Sequence, residues 1–268
     1  MAKSRSQASR SRREELERQR LAKAAKDRKI KIGMFSGAGV IILAVVIILV
    51  VTLNSGGGAA PLVPRHGNSD QSGITPNADT AVGGAPILEI FSDFQCPVCG
   101  QFENGLGDTI QKVIKDGSAK VVNRTMTFLD TDSTIKSKNA AAGNANSSNR
   151  AAVAAACADT IPGDFYYPFV QAIFANQPAT EGDGYSDTVL RDTIPSTVGI
   201  TGADLTAFQQ CYDQRQTQKF VDSVNSQARA AGVNSTPTIR LNGTDITRDL
   251  DATKPSTLTD ALAAVSVS

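Results

Sequence analysis

Histidine is almost missing from this 268-residue chain. The single one, His66, lies in a stretch dominated by Gly, Pro, Asn, Ser and Asp, which leaves little room for Ser–His or Cys–His catalysis by a folded domain. Cysteine is scarce too. There are four, Cys96, Cys99, Cys157 and Cys211, with one CxxC and no second. Structural zinc needs four ligands, and only Cys157, Cys211 and the distant His66 remain to complete a set, so a metal site is not expected. Positive charge is scarce outside the first 31 residues. Those carry 12 Lys and Arg against 4 Asp and Glu, a balance of +8, whereas the rest carries 15 against 22, a balance of −7. The basic charge belongs to a tail, so a nucleic-acid-binding domain is not indicated.

What the chain does have is one long apolar run. Ile32 to Leu53 is 22 residues without a charge, enough to cross about 30 Å of hydrocarbon as a helix. It exceeds the apolar core of a cleaved signal peptide, about 7–15 residues, and reads as a signal-anchor. The basic flank 1–31 belongs on the cytoplasmic side, against anionic head groups. The expectation is a single-pass cell-membrane protein with a cytoplasmic N-terminus and everything after residue 53 extracytoplasmic. Residues 54–82 read as a flexible linker, because small and polar residues dominate and no periodicity is visible.

The folded domain, 83–268, is organised around Cys96-Pro97-Val98-Cys99. The motif follows an apolar run, Ile87-Leu88-Glu89-Ile90-Phe91, that reads as a buried strand. Pro97 suits the first helical position, where its missing N–H is no loss. Cys96 then sits at the positive end of a helix, which favours a thiolate, the species that attacks disulfides. The helix is expected to run to about Asp116, weakened by Gly105 and Gly107, and Lys120 to Phe128 reads as the next strand.

Residues 136–231 read as helical almost throughout. Val153, Cys157 and Ile161 share one face, as do Phe165, Phe169 and Ile173. Thr201 with Asp204 gives a capping-box signature, and Gly232 marks a helix end. Thr238 to Thr247 around Asn242-Gly243 reads as a two-residue hairpin, and Pro255-Ser256 opens a last helix. The order is β-α-β, a block of helices, then β-β-α, with no internal repeat.

Glu89 to Cys99, Phe128-Leu129-Asp130, Ile173 to Pro178 and Ala230 to Thr238, in this order, resemble the DsbA-like branch of the thioredoxin superfamily, of the membrane-anchored actinobacterial type. The resemblance implies an α/β thioredoxin-like fold with a helical insertion at about 136–231, here preceded by one transmembrane helix. It implies a thiol–disulfide oxidoreductase without a cofactor, oxidising unfolded secreted proteins. Its reoxidant would be a quinone-linked membrane protein of the DsbB or vitamin-K-epoxide-reductase type. Cys96 would be the exposed nucleophile and Cys99 the buried, resolving partner. Pro237 would be a cis-proline beside the motif, with the backbone of Thr236 turned toward a bound peptide. An acidic residue in the preceding strand often serves the buried cysteine; Glu89 and Asp93 are the candidates, and the sequence does not decide which of them, if either, points inward rather than to the surface.

Pro97 and Val98 tune the thiolate. Many strongly oxidising relatives carry His where Val98 stands, so the Cys96 pKa is expected below the free value of about 8.5 but above the extreme of about 3.5. Outside the membrane, four cysteines with one redox pair leave Cys157 and Cys211 as a structural disulfide. Two other readings stay open: a reductase or isomerase, and a tethered peptide-binding module whose CxxC is only structural.

Overall fold

A computed structural model describes residues 60–266. The expected tail 1–31 and spanning helix 32–53 lie outside the described residues. Among the described residues no helix is long and apolar enough to cross a membrane.

Four strands form one sheet: β1 (Ile87–Asp93), β2 (Lys120–Met126), β3 (Thr238–Leu241) and β4 (Thr244–Asp245), in the order β2-β1-β3-β4. β1 pairs parallel to β2 and antiparallel to β3. The hairpin between β3 and β4 turns on Asn242 and Gly243, both at positive φ (49° and 81°), as a type I′ turn requires.

The helices are α1 (Pro97–Asp116), α2 (Ser133–Ala141), α3 (Ser147–Ala158), α4 (Tyr166–Ala175), the short α5 (Ile194–Thr197), α6 (Gly202–Asp213), α7 (Gln218–Ala230) and α8 (Ser256–Ser266). β1 is covered on both faces. Leu88 and Ile90 share a core with Leu106 and Ile110 of α1 and with Leu258 and Leu262 of α8. Phe91 and Met126 face the other way, onto Ala228 and Val233 at the end of α7. The first core runs without a break into the helical insertion through Val153, Phe169, Ile173 and Phe208.

α7 ends in a Schellman motif. Val233 N–H reaches Ala228 O (3.0 Å), Gly232 N–H reaches Arg229 O (3.0 Å), and Gly232 takes φ 78°. Thr201 is the N-cap of α6, but its side chain makes no capping bond, so the capping-box reading is corrected. Gly105 has a packing reason: a Cβ there would collide with the backbone of Ala252, in the chain leading to α8.

The expected linker 54–82 is corrected from residue 60 onward. Residues 60–82 form an ordered strap along the outer edge of β2. Ile74, 2% exposed, exchanges two backbone hydrogen bonds with Asn123 (2.9 and 2.8 Å). Asn77 donates to Ala119 O (2.8 Å) and accepts from Val121 N–H (3.1 Å). Farther back, His66 Nδ1 lies 2.7 Å from Asp159 Oδ1 at the end of α3. The polar residues that look like a linker are spent on turns and on an otherwise open strand edge.

Candidate active site

Cys96 is the N-cap of α1, in extended conformation, and Pro97 opens the helix. Cys96 is half-buried and Cys99, a turn later, is 1% exposed; both are thiols. The Cys96 pKa is lowered to about 6. The chief cause is the Cys99 thiol, which donates to the Cys96 sulfur. The backbone N–H groups of Cys99 and Val98 and the Thr236 hydroxyl add to it, against an opposing effect of burial. Burial pushes the Cys99 thiol well above its ordinary value, and the neighbouring Cys96 pushes it further. Val98 is 55% exposed and gives the sulfur only its backbone.

The Thr236–Pro237 peptide is cis, and the Cys96 sulfur lies 3.4 Å from Thr236 O. A cleft of about 480 Å³ adjoins this loop, lined by Ser235, Pro237 and Thr238 and by Asp245, Thr247, Arg248 and Asp249.

Glu89 is not part of this site. Its carboxylate pairs with Arg124 (2.7 Å) at a polar cleft that also takes in Arg65, Asp70 and Lys120. The buried acid is Asp93, at the C-terminal end of β1. It is 0% exposed, and burial raises its pKa to about 7. A backbone hydrogen bond from Asp93 reaches the Cys99 sulfur, and Cys96 N–H donates to Asp93 O (3.0 Å).

The insertion supplies residues that sequence reasoning did not single out. Gln177 donates from one amide nitrogen to Phe94 O (2.9 Å) and Cys96 O (3.0 Å), and Tyr185 Oη donates to Phe94 O (2.8 Å). Together they clamp the turn between β1 and α1. Gly100 leaves room for this, because a side chain there would run into the Gln177 amide. Gln177 stood within the Ile173–Pro178 segment of the resemblance, which was its only signal. Cys157 and Cys211 are bonded to each other across α3 and α6 (Cα–Cα 5.8 Å), so neither is a ligand for a metal at the CxxC.

A sheet with a parallel pair, a CxxC at the mouth of the following helix and a proline loop against its first sulfur define a thioredoxin-type site. The family profile described as Thioredoxin matches residues 84–262, and the chain belongs to that family. Within it, the solved structures that resemble the chain are of DsbA type. The oxidised DsbA of Mycobacterium tuberculosis is 25% identical, with a TM-score of 0.53, covering 76% of this chain and 92% of that one. The reduced disulfide oxidoreductase DsbG of the same organism is 26% identical (TM-score 0.52; 67% and 77% covered). MdbA, a thiol-disulfide oxidoreductase from Actinomyces oris, is 18% identical with a TM-score of 0.61, covering 77% and 94%. A comparison with curated proteins returned no match.

Proposed function

We propose that this protein is an extracytoplasmic thiol–disulfide oxidoreductase that oxidises cysteines of unfolded secreted proteins through Cys96 and Cys99. One observation carries the reading: an accessible sulfur whose thiolate is stabilised to a pKa of about 6, beside a buried partner thiol. A stable thiolate makes the reduced pair favourable, and so makes the disulfide oxidising. The uncharged run 32–53 and its basic flank support a single-pass anchor with the catalytic domain outside the cell membrane.

The cycle starts from the Cys96–Cys99 disulfide. A substrate thiolate attacks the Cys96 sulfur; the substrate–Cys96 bond forms and the Cys96–Cys99 bond breaks. Cys99 leaves as a thiolate and takes a proton from Asp93, directly or through one water. A second substrate thiolate then attacks the first substrate sulfur. The substrate disulfide forms, and Cys96 departs as its stabilised thiolate. Two electrons have passed from substrate to protein, which ends with Cys96 as thiolate, Cys99 as thiol and Asp93 as carboxylate. A quinone-linked membrane partner of the DsbB or vitamin-K-epoxide-reductase type would remove them, with Asp93 taking the Cys99 proton back. Thr236, whose backbone borders the Cys96 sulfur, is positioned to pair with an extended substrate by strand addition.

Equilibration of the Cys96–Cys99 pair with glutathione tests the direction. A potential toward about −120 mV is expected, and one near about −270 mV would make the protein a reductase. Cys96→Ser should abolish turnover of a dithiol peptide. A bond that resists mild reductant altogether would leave only a peptide-binding module.

A further inference from the structure

Three donors converge on the Asp93 carboxylate. Gln95 N–H reaches Oδ1 (3.0 Å), Leu129 N–H reaches Oδ2 (3.0 Å), and the Ser148 hydroxyl reaches Oδ1 at 2.6 Å. Two of the three are backbone amides, which only donate. Ser148 alone can both donate and accept.

The surroundings fix what Ser148 can do. Gln95 Nε2 donates one hydrogen to Ser148 Oγ (2.8 Å) and the other to Asp130 Oδ1 (3.1 Å), while Gln95 Oε1 accepts from Asn139 (2.8 Å). The amide is therefore locked in one orientation. Asp130 also accepts the backbone N–H of Ser148 (3.1 Å) and Asn149 (2.7 Å), which pins the first turn of α3 over the end of β1. Ser148, Asn139 and Asp93 are each 0% exposed. With one lone pair taken by Gln95, the Ser148 oxygen keeps a second for a protonated Asp93, and its own hydrogen serves the charged form.

We propose that Ser148, contributed by the helical insertion, is the proton swivel of the site: it donates to the Asp93 carboxylate and accepts from the carboxylic acid, so that Asp93 can receive and return the Cys99 proton. Ser148 touches no reacting sulfur, so it is a positioning residue that acts through Asp93. The inference rests on the reading of Cys96 and Cys99 as a redox pair. The other charged or titratable groups acting on the Asp93 carboxyl are Tyr185 of the insertion and Asp130 after β2, with Arg150 of α3 behind it, and Cys99 is reached by the Asp93 backbone. The Asp130 charge opposes ionisation of Asp93, and the Ser148 hydrogen bond favours it.

The test follows the carboxyl carbon of Asp93 by NMR across pH in the reduced full chain, in wild type, Ser148→Ala and Ser148→Thr. Alanine removes one atom and suits a helix, so the variant should fold. The hydrogen bond to the charged carboxylate is the stronger of the two, so losing Ser148 should move the Asp93 midpoint up by about half a unit to one unit, and threonine should restore it. In the Cys96–glutathione mixed disulfide, release of glutathione by Cys99 should be about three- to tenfold slower in Ser148→Ala below the wild-type midpoint and equal at high pH. An unchanged midpoint, or slowing that is uniform with pH and accompanied by a lower Tm, would reduce Ser148 to a packing residue. Neither result would touch the proposed function, whose failure would appear separately as a wild-type pair that does not exchange with glutathione.

Discussion

Val98 is the residue at which the chemistry of the site is most open to change. It stands beside the nucleophilic sulfur, is largely exposed, and contributes a backbone N–H but no side-chain charge or donor. With over half of its surface open to solvent, the position leaves an imidazole room to project outward. Its cationic form would add a favourable interaction that only the thiolate enjoys. Val98→His should therefore lower the Cys96 midpoint below about 6, followed by thiolate absorbance, and shift the glutathione equilibrium toward the reduced protein. An unchanged midpoint would mean that the backbone donors and Cys99 already set the thiolate by themselves. The same scale shows where sequence reading stops. Glu89 and Asp93 are four positions apart on β1, so strand alternation assigns both to one face and cannot choose between them. The choice is made by α3, whose first turn covers the end of β1 over Asp93 and leaves Glu89 to Arg124. Nothing local to either carboxylate encodes that cover.

Among the elements, those with strong local signals were legible. The CxxC helix follows from Pro97 and the apolar strand before it, and the hairpin follows from Asn242-Gly243, because in each case the chemistry that makes the element lies within it. The strap 60–82 was not legible. Asn, Asp, Ser and Gly serve disordered linkers and tight turns alike, and one apolar residue, Ile74, is too little pattern to separate them. The Cys157–Cys211 bridge was legible from cysteine arithmetic, two cysteines being left once Cys96 and Cys99 are paired off, and it ties α3 to α6 across a separation of 54 residues. Closing a loop of that length lowers the entropy of the unfolded chain by an amount worth about 4 kcal/mol. The double variant Cys157→Ala, Cys211→Ala should lose about that much stability in urea unfolding. Its Cys96–Cys99 equilibrium with glutathione should stay where it is. A marginal loss of stability, or a shifted equilibrium, would mean that the bridge does something other than close the insertion.

For the molecule as a whole, two buried carboxylates set an unusual dependence of stability on pH. Burial raises both Asp93 and Glu103 to about 7, from ordinary values of 3.8 and 4.5. Between those limits the folded protein binds more protons than the unfolded chain, so stability falls as pH rises from about 4 to about 7 and levels off above. Surface acids whose pKa values are lowered by hydrogen bonds, such as Asp70 and Asp245, act in the opposite sense at lower pH. With Cys96–Cys99 oxidised, so that neither sulfur titrates, maximum stability is therefore expected on the acid side of neutrality; in the reduced protein the lowered Cys96 thiol adds stability as pH rises above about 6. Glu103 isolates the effect. It lies on α1 and accepts a hydrogen bond from Tyr167 of α4 (2.7 Å), which a glutamine oxygen could also accept. Glu103→Gln should stabilise the protein at pH 8 by up to about 3 kcal/mol, or about 6–12 °C in Tm, and the gain should fade toward pH 4.5. Thermal melts of both proteins, each held in one redox state of Cys96–Cys99, would measure it. A gain of equal size at both ends of the range would point to better packing, and a loss at pH 8 would mean that the charged carboxylate is stabilised where it lies.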